Sequence, residues 1–268
     1  MDVKGKVFVV TGGGNGMGRE VVLGLIARGA KVAAVDLREE GLEETAALAK
    51  APKGALTTHV LDVTKRQDAI ALPEKVIAAH GQVDGILNIA GIIQKFVKIQ
   101  ELSFEEIEKV MNVNFWGVVN MTKAFLRHLL ARPEAAVLNV SSMGGFLPVP
   151  GQAAYGASKA AVKLFTEALY AETRGTGVQV TVVFPGGVGT NITKNSGVDI
   201  PNAAELESGK QRKTTSPADA GRQIIEGVEK ASFRVVIGGD ASFLDKLSRL
   251  APRKATEFIA KQMKSLLG

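Results

Sequence analysis

The stretch Thr11-Gly12-Gly13-Gly14-Asn15-Gly16-Met17-Gly18 decides the fold, because it joins a short apolar run directly to a helical pattern. A glycine-rich turn at such a junction lets the backbone approach a pyrophosphate and places the anion at a helix N-terminus. The glycines follow the pattern TGxxxGxG and not GxGxxG, which would need a third glycine at Met17. By itself the turn is weak evidence, since a tight strand-to-helix connection also uses glycines.

Short β-branched runs alternate with longer helical patterns along the rest of the chain, which is typical of βαβ units. We predict an α/β fold, a doubly wound parallel sheet of seven strands with helices on both faces. The predicted strands cover residues 6–10, 31–36, 55–61, 85–88, 136–140, 179–183 and 234–237. The predicted helices cover residues 17–28, 39–50, 65–80, 103–130, 153–174 and 217–230.

One domain is predicted, because no linker rich in Pro, Gly or Ser divides the chain. Residues 1–240 form its catalytic and nucleotide-binding part, and residues 241–268 form a basic, amphipathic helical extension of the same domain. The segment 190–215 breaks the periodic pattern, and an irregular insertion of this length is usually functional. We interpret it as a lid over the substrate.

The composition excludes several classes of site. The absence of cysteine excludes disulfides, thiolate metal sites and thiol nucleophiles. The three histidines, His59, His80 and His128, lie far apart and lack ligand-like neighbours, so we expect surface or helix-end positions and no metal. The polar start of the chain and the lack of a run of roughly 18 apolar residues favour a soluble, cytoplasmic protein.

The formal net charge of +6 belongs to the end of the chain, where residues 208–268 hold 12 Lys and Arg against 6 Asp and Glu. No basic cluster with stacking aromatics is present, so we expect no nucleic-acid partner. After the last strand, apolar residues recur at helical spacing with basic residues between them, interrupted by Pro252. Such a stripe usually packs on its own domain or a neighbouring subunit, and less often lies on an anionic membrane surface.

The second predicted strand ends at Asp36, 18 residues beyond Gly18. Dinucleotide-binding folds place there the acid that binds the adenosine ribose hydroxyls. A carboxylate repels a 2′-phosphate, so we expect NAD, with NADP less favoured, although Arg38 is placed to partner such a phosphate. Asp62-Val63 and Asn88-Ile89-Ala90-Gly91 close the next two strands, at the sheet edge where ligands bind.

Tyr155 and Lys159 lie four residues apart and share one face of a predicted helix. A free tyrosine has a pKa near ~10, and a lysine ammonium and an oxidised nicotinamide beside it both favour the phenolate. The YxxxK pattern alone is common, but Ser142 follows a buried strand 13 residues earlier and adds a hydroxyl at the same edge. Asn114 is poorly placed within a helix, which indicates either a role at the site or a helix-stabilising side-chain bond.

Together these motifs resemble the short-chain dehydrogenase/reductase family, and the resemblance covers residues 4–239. It rests on TGGGNGMG at 11–18, Asp62-Val63, NIAG at 88–91, Asn114, Ser142, YGASK at 155–159 and PGGVGT at 185–190. The family usually has a second asparagine where this chain has Ile89, so we expect a locally altered contact near the adenosine. The resemblance implies a seven-stranded Rossmann fold and a homotetramer or homodimer formed through the helices that begin near Ser103 and Ala153.

The resemblance also implies roles for a tetrad of catalytic residues. Ser142 would hold the substrate oxygen and Tyr155 would take or give the hydroxyl proton. Lys159 would bind the nicotinamide ribose and lower the tyrosine pKa, and Asn114 would hold a water that relays protons. The expected cofactor-binding residues, of which Val188 and Thr190 lie at the carboxamide end, are Gly12, Asn15, Gly16, Met17, Gly18, Asp36, Leu37, Asp62, Val63, Asn88, Ala90, Gly91, Val113, Tyr155, Lys159, Pro185, Gly186, Val188 and Thr190.

The residues just beyond the motifs are expected to line the substrate site, namely Gln94, Ser142, Met143, Phe146, Tyr155, Gly187 and Asn191. They are mostly apolar or neutral, and no arginine stands ready to clamp a carboxylate or phosphate, which favours a neutral, hydrophobic secondary alcohol or ketone. Met143 and Phe146 fit a core or interface position equally well. The predicted function is an NAD-dependent oxidoreductase; the alternatives are a non-catalytic NAD-binding scaffold or redox sensor, and a membrane-surface dehydrogenase of lipid-like substrates.

Overall fold

The computed structural model describes residues 1–198 and 214–263. Seven strands of these residues form one parallel sheet in the order β3-β2-β1-β4-β5-β6-β7. The strands are β1 (Val7–Thr11), β2 (Lys31–Asp36), β3 (Leu56–Val60), β4 (Gly85–Asn88), β5 (Ala135–Val140), β6 (Val178–Pro185) and β7 (Arg234–Ile237). The predicted seven-stranded, doubly wound α/β fold is confirmed, and each strand boundary lies within two residues of its predicted place.

Helices connect the strands and cover both faces of the sheet. They are α1 (Gly16–Ala27), α2 (Glu39–Ala49), α3 (Arg66–His80), α4 (Phe104–Met111), α5 (Gly117–Leu130), α6 (Ala153–Glu172), α7 (Ile192–Ser196), α8 (Pro217–Glu229), α9 (Gly239–Leu250) and α10 (Pro252–Gln262). The prediction of one regular helix over 103–130 is wrong, because Asn112–Trp116 form a π-helical turn between α4 and α5. Such turns are rare and often lie at functional sites, and Asn114 is at the middle of this one.

The sheet separates two apolar cores, because successive side chains of a strand point to opposite faces. Phe8 of β1 packs in one core with Ile224 of α8, and Val9 packs in the other with Phe125 of α5. All four side chains are fully buried. Burying side chains of this kind stabilises the fold by about 1.5–3 kcal/mol each. The strands are therefore held rigidly from both sides, which fixes the groups at their carboxyl ends.

The strand order reverses between β1 and β4, and open α/β sheets bind ligands at this switch point. Thr11 at the end of β1 is aligned with Asn88 at the end of β4. The Thr11 hydroxyl accepts hydrogen bonds from the backbone N–H groups of Ile89 and Ala90, at 3.0 and 3.2 Å. The two strand ends are thereby held side by side at the mouth of a cleft.

The two C-terminal helices, α9 and α10, are separated at Ala251, where Pro252 starts the second helix. Leu244 and Ile259 are buried with Leu147 in a small apolar cluster, so one face of this extension packs on its own domain. Phe243, Leu250 and Phe258 remain exposed, while Leu266 and Leu267 lie outside the described residues. No helix in the described ranges is both long and apolar enough to cross a membrane.

Two further expectations change. The histidines are not all far apart, because His59 and His80 each place Nε2 2.9 Å from the Thr57 hydroxyl. Burial lowers the pKa of both imidazoles. Residues 199–213 of the predicted lid lie outside the described residues; in its described part, α7 follows Asn191, and Thr215 pairs with Val188 in a parallel bridge.

Candidate active site

A cleft of about 310 Å³ opens at the carboxyl ends of β1, β2 and β4. Most of the residues predicted to bind a cofactor line it: Gly12, Asn15, Gly16, Met17, Gly18, Asp36, Leu37, Asp62, Val63, Ala90, Gly91, Val113 and Thr190. Lining residues that were not predicted to bind it include Arg38, Ile89, Ile92, Lys109 and three residues of the α7 region, Ile192, Asn195 and Ser196. Lys109 lies four residues before Val113 on the same helical face, a spacing that would have identified it.

The glycine-rich turn is shaped so that the backbone approaches its neighbours closely. Gly12 has φ +71°, and a Cβ there would lie 3.0 Å from the backbone N of Ala90. A Cβ on Gly18 would collide with the Gly12 carbonyl oxygen. A cradle of this kind, directly at the start of α1, fits a pyrophosphate that accepts hydrogen bonds from backbone N–H groups. The residues present therefore fit a dinucleotide.

Asp36 presents a fixed negative charge to this cleft. Its Oδ2 accepts a hydrogen bond from the backbone N–H of Gly14 at 3.0 Å, and its Oδ1 accepts one from Arg38 at 3.1 Å. A Cβ on Gly14 would lie 2.9 Å from the Asp36 Cγ, so only glycine leaves room for the carboxylate. The carboxylate is therefore held in place before any ligand binds.

Ser142, Tyr155 and Lys159 come together beside the cleft. Ser142 follows β5, and its hydroxyl accepts a 3.0 Å hydrogen bond from the Gly144 N–H. A Cβ on Gly144 would lie 3.4 Å from the Tyr155 ring and 3.5 Å from the Ser142 Oγ, so the two side chains meet beside this glycine. The preceding Ser141 donates a 2.7 Å hydrogen bond to the Lys159 carbonyl, which ties the end of β5 to α6. Gly145 permits this approach, because a Cβ there would lie 2.6 Å from the Ser141 Oγ.

Lys159 is a buried cation, and its Nζ donates a 2.9 Å hydrogen bond to the Val140 carbonyl. Burial lowers the pKa of Lys159 from 10.5 to about 8. A Cβ on Gly91 would lie 3.2 Å from this Nζ and 3.1 Å from Asn114 Oδ1. Since Gly91 lines the cleft, it separates Lys159 and Asn114 from the cleft by a single residue.

The Tyr155 ring lies beside Lys159. Burial raises the pKa of the Tyr155 phenol above its usual value, and the nearby Ser142 hydroxyl opposes this only in part. Lys159 Nζ lies 5.9 Å from the centre of the tyrosine ring and is bonded to a backbone carbonyl. The burial of the phenol therefore outweighs the groups that favour its ionisation.

Asn114 is fully buried, and its side chain does not stabilise its own helix, which removes that alternative. Its Oδ1 accepts a hydrogen bond from the Ile92 N–H, and its Nδ2 donates to the Ile92 carbonyl, both at 2.9 Å. Nδ2 also donates to the Ser158 hydroxyl at 3.0 Å. Asn114, the residue directly after Val113 of the cleft lining, thus joins the loop after β4 to α6.

Some predicted cofactor residues do not line the cleft. Asn88 is buried, and its Nδ2 donates to Asn139 and Thr122 at 2.8 and 3.2 Å. Asn139 in turn donates to Thr166 of α6 at 3.0 Å, so these side chains form a polar network beneath the site that the sequence motifs did not reveal. The other predicted cofactor residues outside the lining are Tyr155, Lys159, Pro185, Gly186 and Val188.

The expected substrate residues fall into different environments. Gln94 is only 3% exposed and all its polar side-chain atoms are bonded to backbone, so its expected role as a lining residue is not supported. Met143 and Phe146 pack against the C-terminal cluster, and the Phe146 ring lies 5.4 Å from that of Phe184. Gly187 and Asn191 are exposed.

Comparison with known proteins agrees with this geometry. The family model described as short chain dehydrogenase matches residues 6–200. The chain belongs to the short-chain dehydrogenase family. This short-chain dehydrogenase is 40% identical over 253 residues to a putative oxidoreductase, SadH, of Mycobacterium tuberculosis, covering 92% of this chain and 91% of that protein.

A second relative is the 3-oxoacyl-[acyl-carrier-protein] reductase FabG of Thermotoga maritima, 33% identical over 194 residues and covering 72% of this chain and 78% of FabG. Among solved structures, a short-chain dehydrogenase/reductase of Burkholderia phymatum in complex with NAD superposes with a TM-score of 0.85 at 25% identity, covering 93% of this chain and 94% of that one. The protein is therefore an oxidoreductase of this family, with a site for a nicotinamide cofactor.

Proposed function

We propose that this short-chain dehydrogenase is an NAD-dependent oxidoreductase that interconverts a neutral, hydrophobic secondary alcohol and its ketone. The observation that carries the proposal is the close approach of the Ser142 and Tyr155 side chains beside Gly144, placed with Lys159 against the wall of the nucleotide cleft. A non-catalytic scaffold would have no need of two such hydroxyls at this position.

The chain's own residues supply the proton chemistry, while a bound nicotinamide supplies or accepts the hydride. Ser142 donates a hydrogen bond to the substrate oxygen. Tyr155 gives its phenolic proton to that oxygen in carbonyl reduction and takes the proton back in alcohol oxidation. Lys159, beside the cleft, binds the ribose beside the nicotinamide and provides the nearby positive charge. Asn114 fixes the Ile92 backbone and Ser158 behind this group, and we propose that it also holds a water that relays protons.

The direction of the Tyr155 shift has a consequence for pH dependence. Because burial raises the pKa of the phenol, Tyr155 carries its proton at neutral pH and is ready to act as an acid. Carbonyl reduction therefore proceeds at neutral pH. Alcohol oxidation needs the deprotonated phenol, so its rate rises with pH until Tyr155 has ionised.

Selectivity for NAD over NADP is proposed from Asp36. Its carboxylate is held by two backbone N–H groups at the cleft, where it accepts hydrogen bonds from ribose hydroxyls and repels a 2′-phosphate. The neighbouring Arg38 also lines the cleft and is available to such a phosphate once the carboxylate is gone. We expect Asp36→Ser to reduce kcat/KM with NAD and increase it with NADP, measured with one substrate under identical conditions. An unchanged ratio would remove Asp36 from cofactor selection.

The substrate class is proposed from the side chains around the reacting hydroxyls. Met143, which directly follows Ser142, and Phe146 pack on the C-terminal cluster and stay partly exposed, and we propose that their exposed parts face the substrate. In the first turn of α9, Asp240 accepts a 3.0 Å hydrogen bond from the N–H of Gly187, an expected substrate residue, and we propose that its carboxylate disfavours an anionic substrate. The relative FabG is named as a 3-oxoacyl-[acyl-carrier-protein] reductase, and the 3-oxo group in that name is a ketone.

The proposed activity is tested by following NADH with a panel of secondary alcohols and ketones of increasing hydrophobic size. We expect kcat/KM to rise with apolar size and to fall when a carboxylate is added to the same carbon skeleton. A preference for the carboxylated members would overturn the proposed substrate class, and no turnover of any member with an intact fold would favour the scaffold alternative.

We also propose that the enzyme is a cytoplasmic homo-oligomer that packs through the helices α4 to α6. Phe104, Trp116 and Leu164 on these elements are 80%, 45% and 63% exposed. The Phe115 ring joins this face by contacting Trp116 at 5.5 Å and Phe165 at 6.2 Å. An apolar face of this kind is typical of a subunit interface.

A further inference from the structure

Gln94 lies in the loop after β4, close to the start of α6. Its Oε1 accepts a hydrogen bond from the backbone N–H of Tyr155 at 3.0 Å, and its Nε2 donates to the Gly151 carbonyl at 2.9 Å. The Gln94 carbonyl accepts a hydrogen bond from Gln152 Nε2 at 2.9 Å. Gln152, the residue immediately before α6, makes no side-chain cap for this helix. A residue distant in sequence therefore satisfies one of the free N–H groups of the catalytic helix.

The backbone of Tyr155 is held from both ends by this arrangement. The Gln94 Oε1 accepts a hydrogen bond from the Tyr155 N–H, and the Tyr155 carbonyl accepts a 2.7 Å hydrogen bond from the Ser158 hydroxyl. Ser158 is in turn bonded to Asn114, which clamps the N–H and carbonyl of Ile92. The segment 92–94 is thus the common support of both ends of the Tyr155 peptide.

We propose that Gln94 is a positioning residue for the reaction, which fixes Tyr155 so that its hydroxyl stays aligned with Ser142. The inference rests on the proposed role of Tyr155 as the acid/base. Gln94 itself does not touch substrate, because it is buried and both polar groups of its side chain are bonded to backbone. Small displacements of an acid/base matter because catalysis depends on the alignment of the reacting atoms.

Three variants test the inference. Gln94→Met removes both side-chain hydrogen bonds at similar length. Gln94→Glu keeps the oxygen that accepts from Tyr155. Gln152→Met is the matched control, since Gln152 is the same residue type, is 4% exposed, and also loses one hydrogen bond to this loop without touching Tyr155.

With Gln94→Met we expect kcat to fall by about 10- to 100-fold, while KM for NAD stays within about twofold. With Gln152→Met we expect kcat to stay within about threefold of the wild type. Equal losses in the two Met variants would show that Gln94 serves only general packing and would overturn the inference.

A second readout needs no turnover. The chain has two tyrosines, Tyr155 and Tyr170, so the tyrosinate absorbance of Tyr155 is obtained by subtracting a titration of Tyr155→Phe. Among the described residues, the charged group that faces the Tyr155 ring is Lys159, and the polar one is Ser142. In Gln94→Glu an added buried carboxylate must raise the pH at which Tyr155 ionises.

If Tyr155 ionised at the same pH in Gln94→Glu and in the wild type, the result would contradict an effect of Gln94 on Tyr155. This test holds even if Gln94→Met is too unstable to assay. The two failures are distinguishable. If Tyr155→Phe retained full turnover, the proposed function would fail, whereas the titration would still report whether Gln94 acts on Tyr155.

Discussion

Replacing Lys159 with methionine should make the protein more stable while it destroys activity. The Nζ of Lys159 is buried as a cation, and its pKa is lowered from 10.5 to about 8 because burial disfavours the charge. That difference corresponds to about 3 kcal/mol of unfavourable free energy in the folded state at neutral pH. Methionine removes the charge, keeps an unbranched chain and suits a helix.

The substitution also leaves the Val140 carbonyl without its donor, and an unsatisfied buried acceptor costs about 1–3 kcal/mol. The remaining gain is up to about 2 kcal/mol near pH 7. The assay is urea denaturation of the wild type and Lys159→Met, followed by circular dichroism. Loss of turnover in the same samples shows that the charge was kept for function.

The pH dependence gives the sharper test. Between pH values of about 8 and 10.5 the unfolded chain binds the Lys159 proton and the folded chain does not, so the free energy of unfolding of the wild type rises with pH in this window. The stability advantage of Lys159→Met should therefore shrink by about 2 kcal/mol between about pH 7.5 and about pH 9.5. A methionine variant that is less stable at pH 7.5, with a difference that does not change with pH, would refute the reasoning.

Three further outcomes are expected. Gly14→Ala places a Cβ 2.9 Å from the Asp36 Cγ and should break the hydrogen bond between the Gly14 N–H and the carboxylate. NAD affinity measured by calorimetry should therefore fall by about tenfold. A wild-type affinity would show that the turn adapts to the methyl group. Asn139→Leu breaks the bond to Asn88 and should lower the free energy of urea unfolding by about 2–3 kcal/mol; an unchanged midpoint would show that the network is not needed. Leu164→Glu should shift the oligomer towards monomer in light scattering, and an unaltered mass would place the interface elsewhere.

The parts of the fold that follow from local pattern were predictable. β2, β4 and β7 have the predicted ends because each is a β-branched or small-residue run that stops at a polar or glycine-containing turn. The turn at 11–18 was also predictable, since positive φ and close approach require glycine there. By contrast, the π-helical turn at Asn112–Trp116 inserts no unusual residue types, so hydrophobic periodicity passes through it unchanged.

Within the site, motif residues were predictable and their supports were not. Tyr155, Ser142 and Lys159 could be identified by spacing, and the structure brings them together. Gln94 was expected at the substrate because it follows a motif, but its contacts with Tyr155 depend on how the loop after β4 folds back. The pKa of Tyr155 likewise depends on burial, which sequence spacing does not report.

Tyr155→Phe, assayed together for NAD binding and turnover, tests the central claim most directly. The substitution removes one hydroxyl and leaves the ring in place. We predict that Kd for NAD stays within about twofold and that NADH formation from a secondary alcohol falls by at least about 100-fold. Undiminished turnover by the variant would contradict the assignment of Tyr155 as the acid/base.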